Sequence, residues 1–124
     1  MSRILLVEDD PGVLALFEEV LLAAGYEVDT ADTFQAADDL LAFRNYALLL
    51  SDGWLPGGTG MTLADHAKLK GIPALIITGF IDRLQQSGSP VSWANYTVVP
   101  KPITPHALLD GVSRIVRSNE GAHP

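Results

Sequence analysis

Ile4-Leu5-Leu6-Val7-Glu8-Asp9-Asp10-Pro11 is the stretch whose reading decides the fold. Its first half is an unbroken apolar run, as expected of a β-strand covered on both faces rather than one. The run stops abruptly at three consecutive acids. Asp10 is placed to cap a helix whose first position is Pro11, because proline fits the first turn and aspartate accepts from the exposed amides there. Strand, acidic turn and capped helix within eight positions mark the start of a β–α unit.

The same alternation continues outward along the chain. Val13, Leu14, Leu16, Phe17, Val20, Leu21 and Ala24 recur at helical spacing up to Gly25. Glu27 to Ala31 reads as a second strand. Thr33 can cap a second helix to about Phe43, with Phe34, Ala37, Leu40 and Leu41 inward. Tyr46 to Ser51 is a third buried strand ending at Asp52, followed by a stretch, Gly53 to Gly60, that is a loop by composition. Met61 to Lys70 is a helix stopped by Gly71. Pro73 to Ile77 is a fourth strand ending at Thr78. The region from Ile81 to Asn95 is the least regular, with a short helix over Ile81 to Gln86 interrupted by Ser87-Gly88-Ser89-Pro90. Thr97 to Val99 is a fifth strand, ended by Pro100-Lys101-Pro102. Pro105 opens a last helix with Leu108, Leu109, Val112, Ile115 and Val116 as its apolar face. The expectation is an α/β fold, a doubly wound five-stranded parallel sheet with helices on both faces and a fourth helix that is short or irregular. Residues 1–118 form one domain, and 119–124 a flexible tail.

Totals narrow the range of functions. The chain has 124 residues, 48% of them hydrophobic and 19% charged, enough for one buried core. Fifteen acidic residues against eight basic ones give a formal charge of −7, which argues against direct nucleic-acid binding. The absence of cysteine removes disulfides and thiolate chemistry. No apolar run reaches the roughly 18 residues of a membrane span, and acids arrive too early for a signal peptide. A cytoplasmic protein is expected.

In a parallel sheet, chemistry collects outside the carboxyl ends of the strands. Asp9, Asp52, Thr78 and Lys101 each lie at the end of a different predicted strand, so the topology converges them on one edge. Gathered carboxylates repel: about 1 kcal/mol for a pair 4 Å apart in water, and about 4 at an effective dielectric near 20. A visiting cation relieves this. Oxygen-only ligands select a hard ion such as Mg²⁺, which needs few protein ligands. Asp52 is then a nucleophile toward a phosphoryl group, with Lys101 and the Thr78 hydroxyl on its other oxygens. Each residue also has a structural alternative: Asp52 as a turn residue, Thr78 as an ordinary strand terminus, Lys101 as a surface lysine. His66, His106 and His123 show no metal spacing and read as surface residues, although His66 or His106 can border a docking surface.

From Arg3 to about Arg117 the chain resembles a response-regulator receiver domain of the CheY-like kind. The landmarks are ILLVEDD with Glu8 and Asp9, SDGWLPGGTG with Asp52, PALIITG with Thr78, and VVPKP with Lys101. The resemblance implies a flavodoxin-like strand order 2-1-3-4-5 and a proline in cis after Lys101. It implies that Asp52 is the phosphoacceptor, that Asp9, Asp52 and the Trp54 backbone carbonyl bind Mg²⁺, and that Glu8 acts through water. It also implies phosphotransfer from a sensor histidine kinase or histidine phosphotransfer protein, autohydrolysis, a downstream protein target, and scope for a homodimer.

Three positions depart from the family pattern. Val98 stands where a switch aromatic is usual, and the fourth helix is interrupted, so an output surface there takes another shape, with Trp93 or Tyr96 contributing. Trp54 and Phe80, two residues beyond Asp52 and Thr78, are both large: their bulk would exclude hydrolytic water and lengthen the phosphate lifetime, or, in the competing reading, both rings pack on the protein or against a partner. For a complete chain, with no output domain after the last helix, the leading expectation is a stand-alone phosphoacceptor that is not otherwise an enzyme. The alternative is a receiver-like interaction module that works without phosphorylation. An aspartate-nucleophile phosphatase is disfavoured because Trp54 occupies the position of its second acid.

Overall fold

A computed structural model of the chain describes residues 2–79 and 96–121. The chain alternates β1 (Arg3–Val7), α1 (Pro11–Ala23), β2 (Glu27–Ala31), α2 (Phe34–Phe43) and β3 (Leu48–Asp52). It continues with β4 (Trp54–Leu55), β5 (Gly58–Thr59), α3 (Gly60–Leu69), β6 (Ala74–Thr78), β7 (Thr97–Pro100) and α4 (Pro105–Gly121). Five strands form one parallel sheet in the order β2-β1-β3-β6-β7. Counting only those strands, this is the flavodoxin-like order 2-1-3-4-5. The expected helix over Ile81–Gln86, its interruption at Ser87–Pro90, and Trp93 lie outside the described residues. Among the described residues, no helix is long and apolar enough to cross a membrane.

The continuous apolar runs explain the layers. In β1, β3 and β6 successive side chains alternate between two cores, so the covered positions ahead of the strand ends are apolar in succession. Leu5, Val7, Leu49 and Ile76 meet Ala37 and Leu41 of α2 and Leu63 and Ala67 of α3 on one face. Ile4, Leu6, Leu48, Leu50, Leu75 and Ile77 meet Phe17 and Leu21 of α1 and Leu108, Val112 and Val116 of α4 on the other. Strands β2 and β7 are only partly covered, as fits the two outer positions.

Helix starts follow the sequence closely. Asp10 caps α1 through its Oδ1, which accepts from Gly12 N at 2.9 Å and Val13 N at 3.1 Å. Thr33 caps α2 at Ala36 N, and Thr59 caps α3 at Thr62 N. Past the ends of α1 and α3, Gly25 and Gly71 take positive φ values of 95° and 74°, the left-handed conformation that closes a helix at little cost only for glycine. The C-terminal end of α2 is closed from a different helix: the Lys70 ammonium donates to the carbonyls of Leu41 and Arg44.

Several expectations change. The segment after Asp52 is not an open loop: β4 and β5 pair antiparallel, Trp54 with Thr59 and Leu55 with Gly58, turning at Pro56 and Gly57. Leu16, at 47% exposure, does not join the inward face of α1, because the apolar run there is wider than the strip the sheet covers. The third strand starts at Leu48 rather than Tyr46, whose ring is held by Asp29. The last helix reaches Gly121, into the stretch expected to be a loose tail, since no glycine or proline interrupts it after Gly111.

Candidate functional site at the carboxyl edge of the sheet

Strands β1, β3, β6 and β7 deliver the site. Glu8 follows β1 directly, and its backbone N–H donates to the Ala31 carbonyl at 3.0 Å, extending the sheet by one position. Its side chain is 3% exposed. Asp9 next to it is exposed. Asp52 is the last residue of β3 and Thr78 the last of β6, so both are fixed by the ladder rather than carried on a loop. Lys101 follows β7, and its N–H donates to the Thr78 carbonyl at 3.0 Å. The Lys101–Pro102 bond is cis.

The side chains converge. Carboxylate oxygens of Glu8, Asp9 and Asp52 lie within 4.8 Å of one another. The Lys101 ammonium donates to Glu8 Oε2 at 3.1 Å and to Asp52 Oδ2 at 3.2 Å. Glu8 Oε1 also accepts from Asp10 N at 3.1 Å. Burial pushes the Glu8 carboxyl above its ordinary range, and Lys101 offsets only part of that rise. For Lys101, burial would lower the ammonium's pKa. Its bonds to Glu8 and the charge of Asp52 outweigh that and hold it above the usual lysine value. One cation against three carboxylates leaves net negative charge at the edge. The donors are all oxygens, so the set suits a hard divalent ion such as Mg²⁺.

Two glycines let the backbone close around Asp52. A Cβ at Gly53 would meet Thr78 Cβ and Oγ1 at 2.9 Å each, and one at Gly60 would run into the Asp52 carbonyl. Gly60 N donates to Gly53 O at 3.0 Å, closing the base of the β4–β5 hairpin.

Asp9, Asp52, Thr78 and Lys101 thus meet at one edge, and Glu8 joins them as a buried partner of Lys101. Trp54 begins the hairpin with its side chain 37% exposed, while Phe80 lies outside the described residues. Val98 and Tyr96 both pack against the core under α2 and α3. His66 is more than a surface residue, since its Nδ1 lies 2.7 Å from Asp38 Oδ1 on α2. His106 is exposed, and His123 lies outside the described residues. Sequence reasoning missed Ser51, whose buried hydroxyl donates to the Asp52 carbonyl at 2.8 Å. The available signal was a lone polar residue in an otherwise apolar buried strand.

Sheet order and an acid–lysine cluster at the carboxyl edge define a CheY-like α/β signalling module. The chain belongs to the response regulator receiver domain family, which it matches over residues 4–113. It is similar to the response regulator protein FleR of Pseudomonas aeruginosa, 33% identical over 117 residues, which are 91% of this chain and 24% of FleR. It is also similar to the transcriptional regulatory protein PmrA of Pectobacterium parmentieri, 33% identical over 97% of this chain and 54% of PmrA. The chain therefore spans about a quarter to a half of these relatives. Among solved structures, a CheY-like receiver domain protein from Methanospirillum hungatei JF-1 superposes with a TM-score of 0.86 at 28% identity, covering 98% of both chains. The receiver domain of the hybrid histidine kinase CckA gives 0.76 at 30% identity, over 92% of this chain and 98% of that one.

Proposed function

We propose that Asp52 accepts a phosphoryl group from a phosphohistidine on a sensor histidine kinase or histidine phosphotransfer protein, with Mg²⁺ held at the acidic edge. The observation that carries this reading is the placement of Lys101, within hydrogen-bonding reach of both Glu8 and Asp52 where three carboxylates converge. Asp9, Asp52 and the Trp54 backbone carbonyl would bind the ion directly and Glu8 through water. When bound, Mg²⁺ offsets negative charge on the phosphoryl oxygens.

The chain's own groups do the rest. An Asp52 carboxylate oxygen attacks phosphorus; the P–N bond breaks, its electron pair returns to the imidazole nitrogen, and that nitrogen takes up a proton. An aspartyl phosphate results. Lys101 exchanges its contact with Asp52 for one with a phosphoryl oxygen, while the Thr78 hydroxyl, at the adjacent strand end, donates to another. Glu8 stays behind as the buried carboxylate that keeps Lys101 charged and aimed. Attack by water on phosphorus later breaks the P–O bond to Asp52, releasing inorganic phosphate and the free carboxylate. Readout is by contact with a downstream protein in the cytoplasm, in keeping with a chain too acidic for direct contact with nucleic acid.

The test is intact mass after treatment with a small-molecule phosphodonor, with and without Mg²⁺, on wild type and Asp52→Asn. One added phosphoryl group requiring both Mg²⁺ and Asp52 is the expected result. A second reading, a phosphorylation-independent interaction module, is favoured by Val98, which offers no ring to move. It becomes the better account if wild type binds Mg²⁺ but gains no mass.

A further inference from the structure

The turn beyond Asp52 is held from outside the site by one aromatic ring. Phe34, the first residue of α2, meets the β4–β5 hairpin in two ways. Its N–H donates to the Pro56 carbonyl at 3.0 Å. Its ring lies against Gly58 so closely that a Cβ there would sit 2.5 Å from Phe34 Cδ2 and 2.6 Å from Cγ. Elsewhere the ring meets His66 edge to face, with centroids 6.2 Å apart and planes at 68°. His66 is itself fixed by Asp38 at 2.7 Å. The ring is thus confined between a glycine that must stay a glycine and a histidine that is anchored. Thr33 caps the helix at that point, fixing the backbone of Phe34 as well.

We infer that Phe34 is a positioning residue for the Mg²⁺ site, setting the direction of the Trp54 backbone carbonyl by clamping the tip of the hairpin. The inference rests on the acceptor reading above. A main-chain carbonyl has no rotamer to lock; its direction follows from its peptide plane, and so from whatever holds the segment. Gly60 N on Gly53 O fixes the base of this hairpin, buried Leu55 fixes one strand, and Phe34 fixes the turn. Mg²⁺ demands near-octahedral ligands at about 2.0–2.1 Å, so a small tilt of one ligand weakens binding. Groups behind a metal ligand matter for this reason.

The experiment is a Mg²⁺ titration followed by backbone amide shifts of Asp9, Gly53 and Trp54, with urea stability measured in parallel. Phe34→Ala should weaken Mg²⁺ binding about tenfold, the lower end for groups that orient a metal ligand. Phe34→Tyr, which keeps the ring, should bind as wild type does. Leu41→Ala empties a buried position near the other end of the same helix, and should lose stability while keeping its Mg²⁺ affinity. If Phe34→Ala does not fold, Gly58→Ala pushes on the ring from the opposite side and should weaken binding in the same way. Wild-type affinity in a folded Phe34→Ala or Gly58→Ala protein overturns the inference, as does an equal loss in Leu41→Ala. A wild-type protein whose amides at Asp9 and Gly53 ignore Mg²⁺ overturns the acceptor reading itself, and this inference with it.

Discussion

A methyl group at position 53 would occupy space that Thr78 already fills, and Thr78 is fully buried with no room to retreat. Gly53→Ala is therefore expected to destabilise the fold by about 1–3 kcal/mol, the usual range for forcing atoms into a packed site, as read from urea midpoints. Glu8 makes a different prediction, in pH. Its folded carboxyl titrates above 4.5, the value taken for the unfolded chain. Between those two values the folded state holds a proton that the unfolded state has released. The stability contribution of Glu8 is thus full below pH 4.5 and is lost as pH rises through the folded value. Urea unfolding across that window should show wild type losing stability with rising pH more steeply than Glu8→Gln; parallel slopes would refute the assignment. At this scale the charged site residues were legible, because an acid or lysine at the end of a buried run has few other reasons to be there. Ser51 left only the signal of a lone polar residue in a buried apolar run, and Phe34 left none, since its role depends on a glycine that only the folded chain brings to it.

Between elements, the end of the sheet opposite the site is tied by Asp29 on β2. Its carboxylate accepts from Arg3 at 2.9 Å, Arg44 at 3.3 Å and the Tyr46 hydroxyl at 2.7 Å, while Arg3 also pairs with Glu27 at 2.8 Å. Burial, then the bond to Asp29, raises the Tyr46 hydroxyl's pKa well above its ordinary value. An isolated exposed ion pair contributes about 0.2–1 kcal/mol, but here a half-buried hydroxyl would also lose its acceptor. Asp29→Ala should cost about 1–2 kcal/mol in a denaturant titration, and adding Tyr46→Phe to it should recover part of that loss, because the hydroxyl left without its acceptor is then gone. The network also explains why the third strand begins later than its composition suggests: Tyr46 is held by its side chain across the sheet edge before the ladder starts. The hairpin after Asp52 was read as a loop because two-residue strands leave no periodicity to detect. The caps at Asp10 and Thr33 were legible because capping is a property of a few adjacent residues.

For the molecule as a whole, the five-strand order followed from the alternation of buried runs and capped helices, since right-handed crossovers leave few ways to arrange them. The exposed side of α1 was less legible because leucines there exceed what the sheet can cover. The acidic edge couples folding to metal. At free Mg²⁺ near 100 times its dissociation constant, binding to the folded state alone should add about 2.7 kcal/mol of stability. Asp52→Asn should show less of this gain, yet be the more stable of the two proteins in chelator, because one source of repulsion at the edge is gone. Thermal unfolding of both proteins, in Mg²⁺ and in chelator, checks the pair of expectations. The Lys70 ammonium has a consequence of its own. A helix whose last carbonyls are satisfied from its neighbour cannot fray without releasing that neighbour's lysine, so α2 and α3 should open as one unit. Amides near the C-terminal ends of both helices, at Leu41 and Ala67, should then exchange with solvent at matched opening free energies, and Lys70→Ala should separate them, leaving α2 to exchange faster on its own.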